Sequence, residues 1–141
     1  MTKPVIGILG GGQLGMMLCD AAKKIDIETH IFCPDNDCPS NGRSTYFSIG
    51  EYSDEEKIIK FSNSVDFITY EFENIPIKTI DFIKDQNKIR PGKQSLLLTQ
   101  DRLTEKKFLD KLNIPIAPYK DLKTINDIIS AQNEFTNCIV K

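Results

Sequence analysis

The sequence has almost no excess charge, few metal-binding side chains and no long apolar run, and each absence excludes a class of protein. Its 141 residues include 18 Lys and Arg against 20 Asp and Glu, which leaves a net charge of -2. A basic surface of the kind that attracts nucleic acid or an anionic membrane is therefore not expected. No apolar run approaches the roughly 18 residues of a membrane-spanning helix, and the chain leads straight into a short strand. We expect a soluble, cytoplasmic protein that binds neither nucleic acid nor membrane.

The single histidine and the spacing of the cysteines argue against a metal site. The chain has one histidine, His30, and four cysteines: Cys19, Cys33, Cys38 and Cys138. Only Cys33 and Cys38 are close in sequence, and no second pair follows to complete a zinc site. We predict no metal site and four reduced thiols, with Cys19 on the apolar face of a helix and Cys138 in a strand.

Strands and helices alternate over the first 92 residues. Apolar runs predict strands at 5–9, 28–32, 65–70 and around Ile89, and the polar stretch 33–42 predicts a loop. Helices are predicted from Leu14, from Ser53, where Glu56 would complete a capping box, and from Pro76. Parallel neighbouring strands require crossover helices, so the pattern predicts an α/β fold with a doubly wound parallel sheet. In the first helix, residues at three- and four-residue steps predict a buried face: Leu14, Met17, Leu18, Ala21 and Ile25.

The pattern changes after Pro91 and Gly92. Two helices follow, with Asp101 capping the first and Thr124 with Asp127 beginning the second, and the apolar stretch 138–141 predicts a strand. A strand without a partner segment in view suggests the opening of another domain. We therefore expect one domain over 1–92 and, over 93–141, the start of a second domain that is truncated.

A glycine turn lies between the first strand and the first helix. Residues 10–15 fit G-x-G-x-x-G, in which Gly10 permits a sharp turn, Gly12 lets a ligand approach, and Gly15 brings helix and strand together. The free N–H groups at the start of the helix suit a phosphate. A glycine turn used only for tight packing is the alternative. A dinucleotide would also require an acidic residue at the end of the second strand, where the chain has Cys33 and Pro34, so a small phosphorylated ligand is favoured.

Three stretches together resemble the 5-(carboxyamino)imidazole ribonucleotide synthases, which are ATP-grasp ligases of purine biosynthesis. They are the glycine turn with its continuation to Met17, the sequence Thr-Tyr-Glu-Phe-Glu-Asn-Ile-Pro at 69–76, and Gln-Asp-Arg-Leu-Thr-Glu-Lys at 100–106. Their order and separation match the family over nearly the whole chain. One departure is Met16, where many relatives carry arginine. The resemblance implies a Rossmann-like pre-ATP-grasp domain followed by the first helices and strand of an ATP-grasp domain.

The resemblance also implies a reaction and a set of site residues. The family uses ATP, with magnesium, and bicarbonate to carboxylate the amine of 5-aminoimidazole ribonucleotide, and its members commonly form homodimers. Ribonucleotide contacts carried over to this chain are Gly12, Gln13, Leu14, Glu71 and Glu73. Alternation along a strand would point the two glutamates the same way. Arg102 and Lys141 resemble the first ATP contacts, and their cationic groups suit phosphate.

The same resemblance limits what is expected of the chain alone. Magnesium ligands and catalytic groups belong to the remainder of the ATP-grasp fold, so we predict no catalytic residue here and no turnover by the fragment. Two alternatives stay open. One is a dinucleotide-binding regulatory module that uses Asp35, and the other is a non-functional remnant of a decayed gene. For Glu71 and Glu73 themselves, the alternative is a pair of solvated carboxylates on a loop.

Overall fold

The computed structural model describes residues 3–140, and these fall into two compact units that divide after Gln100. The predicted domain boundary after Gly92 stays a prediction, because it concerns where an ATP-grasp domain begins.

The first unit is built on a four-stranded parallel sheet. Its strands are β1 (Val5–Leu9), β2 (Glu28–Cys33), β3 (Tyr46–Ile49) and β4 (Phe67–Tyr70), in the spatial order β3-β2-β1-β4. The helices are α1 (Gln13–Lys24), α2 (Glu55–Asn63), α3 (Ile77–Asp81) and α4 (Lys93–Gln100). A 3-10 turn at Gln86–Lys88 precedes Ile89, which forms an isolated parallel bridge with Ile68. The α/β fold and the parallel sheet are thus confirmed.

The core lies on both faces of this sheet because side chains alternate along each strand. Leu9 and Phe32 point to one face, where they join a large apolar cluster with Ile58 and Phe61 of α2. Ile8 and Ile31 point to the other face, where they pack with Cys19 of α1. The central strands read as continuous apolar runs because both faces are covered.

The buried face of α1 differs from the predicted one. Gly15, Cys19 and Ala22 face the sheet. The predicted residues are exposed, with Met17 at 61% and Ile25 at 69% relative accessibility, and the same holds for Leu14, Leu18 and Ala21. Small residues at spacings of four and three let the helix approach the strands closely, which outweighs the greater hydrophobicity of the neighbouring stripe.

Three further predictions were wrong in detail. Helix α2 begins at Glu55 and is capped by Asp54, which accepts from the Lys57 amide at 3.1 Å, so the cap lies one residue beyond Ser53. Strand β3 was not predicted, because four residues at a sheet edge give little periodic signal. Residues 138–140 form no strand and Cys138 is exposed, since a strand needs a neighbour for its backbone hydrogen bonds.

The second unit contains α5 (Arg102–Lys111) and α6 (Ile125–Glu134). Asp101 caps α5 by accepting from the Thr104 amide at 2.7 Å, and Thr124 with Asp127 forms a full capping box on α6, as predicted. Hydrogen bonds from the threonine side chains and then from backbone amides lower the pKa of both aspartates. Across residues 3–140, none of the helices combines the length and apolarity needed to cross a membrane.

Candidate functional site

The glycine turn joins β1 to α1 in a backbone conformation that only glycine adopts easily. Gly10 has φ of +115°, and its amide donates to the Phe32 carbonyl at 2.9 Å, which fixes the turn against β2. Helix α1 begins at Gln13 with Gly12 as its N-cap, and Gly12 has no side chain to supply the cap. The first-turn amides of α1 therefore depend on acceptors from elsewhere.

Glu71 supplies two of those acceptors. Its Oε1 accepts from the Gly12 amide at 2.7 Å and its Oε2 from the Gly15 amide at 2.5 Å. The carboxylate thus caps α1 from the end of β4, and its charge complements the helix dipole. This corrects the expectation that the whole turn is open to a phosphate. Among the turn amides, those of Gly11, Gln13 and Leu14 have no acceptor in residues 3–140, and of these three residues Gln13 and Leu14 are exposed.

The glycines leave room for the Glu71 side chain. A Cβ added at Gly10 would lie 2.4 Å from Glu71 Cγ, and one at Gly12 would lie 2.8 Å from Glu71 Oε1. At Gly15 a Cβ would meet the Gly10 carbonyl oxygen at 2.8 Å. The glycine spacing therefore leaves room for the Glu71 side chain and for close packing of α1 on β1.

The two glutamates lie beyond strand β4, so strand alternation, on which their predicted common orientation depended, does not apply to them. Strand β4 ends at Tyr70, the backbone bends at Glu71, and Glu73 lies in a turn. Strand alternation consequently does not extend to these residues. Glu71 is half-buried against the glycine turn, whereas Glu73 is exposed.

An open groove lies beside this corner. Leu14, Met17 and Leu18 of α1 form one wall, and the end of β4 forms the other, in a volume of about 490 Å³ lined also by Thr69, Tyr70 and Glu71. Burial raises the pKa of Tyr70, so its hydroxyl stays protonated. That hydroxyl is buried and has no hydrogen-bond partner within the described part of the chain. A buried hydroxyl without a partner is uncommon in folded proteins and suggests an acceptor from outside these residues.

The loop after β2 packs on the other side of the glycine turn. Ser40 is fully buried, its amide donates to the Gly11 carbonyl at 3.0 Å, and its hydroxyl donates to the Gly12 carbonyl at 3.2 Å. No sequence pattern indicates this contact, because Ser40 lies in an irregular loop 28 residues after Gly12. Asp35, required by the dinucleotide alternative, uses its carboxylate to accept from the Asp37 amide at 2.8 Å within the same loop.

The predicted ATP contacts lie in or beyond the second unit. Arg102 is the first residue of α5, and its guanidinium pairs with Glu105 of the same helix. Lys141 lies outside the described residues. Within residues 3–140 no three His, Cys, Asp or Glu side chains come together as a metal site. The ATP and magnesium contacts accordingly stay predictions.

Comparison with known proteins gives one consistent result. Residues 1–100 match the family described as "Ribonucleotide synthetase preATP-grasp domain". The chain is 40% identical over 126 residues to the bifunctional purine synthesis protein purC/E of Dictyostelium discoideum, covering 89% of this chain and 13% of that protein. It is 38% identical over 130 residues to the N5-carboxyaminoimidazole ribonucleotide synthase of Bacillus subtilis, covering 92% of this chain and 34% of that enzyme.

Solved structures agree with these relatives. The Staphylococcus aureus N5-carboxyaminoimidazole synthetase complexed with ADP superposes with a TM-score of 0.80 at 35% identity, covering 94% of this chain and 36% of that one. The Aspergillus clavatus synthase in complex with ADP and 5-aminoimidazole ribonucleotide gives 0.78 at 25% identity, with the same coverage. The chain thus spans about a third of the length of these synthases. It belongs to the preATP-grasp domain family of ribonucleotide synthetases, as the glycine turn and the Glu-Phe-Glu-Asn-Ile-Pro motif had indicated.

Proposed function

We propose that this chain provides the ribonucleotide-binding part of an N5-carboxyaminoimidazole ribonucleotide synthase. In that reaction, ATP and bicarbonate carboxylate 5-aminoimidazole ribonucleotide in purine biosynthesis. The proposal is supported by the likeness to a synthase solved with 5-aminoimidazole ribonucleotide and ADP, together with the two exposed first-turn residues of α1, Gln13 and Leu14, whose amides Glu71 leaves without an acceptor. Since the chain spans about a third of such enzymes, we propose binding without turnover for the chain alone.

The first-turn amides divide into two pairs with different roles. Glu71 occupies the amides of Gly12 and Gly15, while those of Gln13 and Leu14 have no acceptor within the described residues. We assign the substrate phosphate to this second pair, where the partial positive charge of the helix terminus favours an anion. Glu71 retains lone pairs beyond its two accepted bonds and lines the groove, so it can accept a hydrogen bond from a substrate hydroxyl or amine. Glu73, being exposed, is assigned a supporting role at most.

The proposed ATP contacts of the chain are Arg102 and Lys141. Arg102 offers a guanidinium fork to phosphate, provided that it leaves Glu105. Lys141 would add a second cation, and magnesium would neutralise charge developing on the transferred phosphoryl group when ATP is bound. The described residues supply no set of magnesium ligands, so no step is assigned to the metal here. A homodimer, as implied by the resemblance, is testable by analytical ultracentrifugation.

A proline substitution tests the amide assignment directly. Gln13 is the first residue of α1, a position where proline fits, and Gly12 before it has an extended conformation with ψ of -163° that a following proline accepts. Gln13→Pro removes one proposed phosphate donor and leaves the helix intact. A hydrogen bond to a charged group is worth about 1.5–3 kcal/mol, so we expect binding of 5-aminoimidazole ribonucleotide to weaken by at least about ten-fold.

The matched control is Gln13→Ala, which loses the side chain but keeps the amide. Titration calorimetry of the wild type and both variants against 5-aminoimidazole ribonucleotide and against NAD distinguishes the hypotheses. Equal affinities for the Pro and Ala variants would contradict the amide assignment. Tight NAD binding by the wild type would instead favour the dinucleotide-binding module.

A further inference from the structure

Two thiols lie together behind the glycine turn and have no part in the proposed function. Cys33 is the last residue of β2 and is 2% exposed, whereas Cys38 is only partly buried. Their sulfur atoms are 3.2 Å apart. A disulfide bond is about 2.05 Å long, so the two sulfurs need to approach by only about 1 Å to form one.

The loop between the two cysteines holds them in this arrangement. Its backbone turns at Asp35, which accepts from the Asp37 amide at 2.8 Å, and the Asn41 side chain donates to the Asn36 carbonyl at 2.7 Å. The Cys33 thiol also donates to the Asp35 carbonyl at 3.1 Å. The pair is therefore preorganised by a short segment and does not depend on a distant part of the chain.

We propose that Cys33 and Cys38 form a reversible dithiol–disulfide site whose oxidant is a small disulfide of the glutathione type. The thiolate of the more exposed Cys38 attacks one sulfur of the small disulfide, whose S–S bond breaks, and the first small thiol leaves after taking up a proton. Cys33 then loses its proton and attacks Cys38 Sγ, which releases the second small thiol and closes the protein disulfide. The two protein thiols lose two protons and two electrons, and the oxidant gains them.

The chemical environment supports this order of attack. Burial, with a hydrogen bond and the charge of Cys38 adding to it, raises the pKa of Cys33 to about 12. Cys33 is consequently a poor first nucleophile. Once Cys38 is held in a mixed disulfide, Cys33 is the free thiol beside Cys38 Sγ and is placed to close the protein disulfide.

Oxidation at this site would change the conformation of the glycine turn. A Cβ added at Gly11 would lie 2.4 Å from Cys38 Sγ and 2.6 Å from Cys33 Sγ, so both sulfurs pack directly on the backbone of the turn. Ser40, two residues after Cys38, holds the carbonyls of Gly11 and Gly12. Drawing Cys38 toward β2 moves the segment that carries Ser40, and the turn must adjust.

Mass spectrometry of the whole 141-residue chain tests the disulfide. Both cysteines lie on the tryptic peptide 25–43, between Lys24 and Arg43, while Cys19 and Cys138 fall on other peptides. The protein is incubated in buffers with an increasing ratio of oxidised to reduced glutathione, and the free thiols are then alkylated. We expect peptide 25–43 to carry no alkyl group on either cysteine and to be lighter than the dithiol peptide by two hydrogens. Cys38→Ala is expected to keep Cys33 alkylated. Cys138→Ala, which removes an exposed thiol, should leave the result for peptide 25–43 unchanged.

Two outcomes would overturn the inference. The first applies in buffers whose oxidised glutathione already modifies Cys138. It is a peptide 25–43 in which both cysteines are still alkylated, or in which Cys38 carries glutathione and no disulfide has formed. The second concerns the effect of oxidation on the glycine turn. Amide hydrogen exchange over residues 10–15 should differ between oxidised and reduced protein, and identical exchange would contradict that effect. Neither measurement uses a ribonucleotide, so their failure is separate from failure of the proposed function.

Discussion

The contact between Glu71 and the glycine turn can be tested by removing the carboxylate in steps. Glu71→Gln keeps the shape of the side chain but offers one acceptor oxygen where the structure uses two. Its amide nitrogen would then face a backbone N–H, donor against donor. A hydrogen bond to a charged group contributes about 1.5–3 kcal/mol, and the groove lets water reach part of the site, so we expect a loss of about 2 kcal/mol. Glu71→Ala loses both hydrogen bonds, and we expect the free energy of unfolding to fall by about 3 kcal/mol.

These losses are large enough to measure by thermal unfolding. For a chain of this size each kcal/mol shifts Tm by about 4 °C, so Glu71→Gln should melt about 8 °C lower and Glu71→Ala about 12 °C lower than the wild type. Glu73→Gln is the matched control, because Glu73 is exposed, and its stability should stay within about 0.5 kcal/mol of the wild type. A Glu71→Gln protein as stable as the Glu73→Gln control would refute the capping role.

Inorganic phosphate adds a second, independent observation. In Glu71→Ala the amides of Gly12 and Gly15 join those of Gln13 and Leu14 as free donors at a helix terminus, which is a favourable anion site. A ligand that binds only the folded state stabilises it, so phosphate should raise the Tm of Glu71→Ala more than that of the wild type. Chloride at equal ionic strength is the control, and equal effects of the two salts would show that the amides are not accessible.

Three other predictions concern the turn, a half-buried histidine and a helix cap. Gly10→Ala should cost about 3 kcal/mol in urea unfolding, because φ is +115° and the new Cβ would meet Glu71 at 2.4 Å, whereas Gly92→Ala, with open space around it, should cost little. Burial lowers the pKa of His30, so the unfolded chain takes up the proton more readily and stability falls as pH drops below about 6.5. Urea unfolding of His30→Asn should lack that loss. Thr124→Ala should destabilise α6 by about 1 kcal/mol, seen as faster amide exchange at residues 125–128, and unchanged exchange would contradict the cap.

The sequence predicted the features that depend on local pattern. Continuous apolar runs identified the strands 5–9 and 28–32, and short polar side chains before apolar stretches identified the caps Asp101 and Thr124. The features it missed depend on packing between distant segments. Whether α1 would face the sheet with its large or its small residues is decided by how closely helix and strands can approach, which a periodicity cannot show.

The candidate site shows the same division. The glycine spacing correctly indicated a close approach to the backbone, but the group that approaches is Glu71, 59 residues from Gly12. Strand alternation paired Glu71 with Glu73, yet β4 ends one residue before Glu71, and element boundaries are where patterns are least informative. Ser40 and the proximity of the two thiols depend on the path of an irregular loop, which leaves no periodic signal in the chain.

The division of labour along α1 has a consequence for how this family can diversify. Gly15, Cys19 and Ala22 are confined to small volumes by the sheet beneath them, while Leu14, Met17 and Leu18 are exposed and line the groove. Substitutions on that outer side can remodel the wall of the groove while the strands keep their register. The residues that pack α1 on the sheet and the residues that line the groove are thus two separate sets on one helix. Substitutions in the second set leave the first set unchanged.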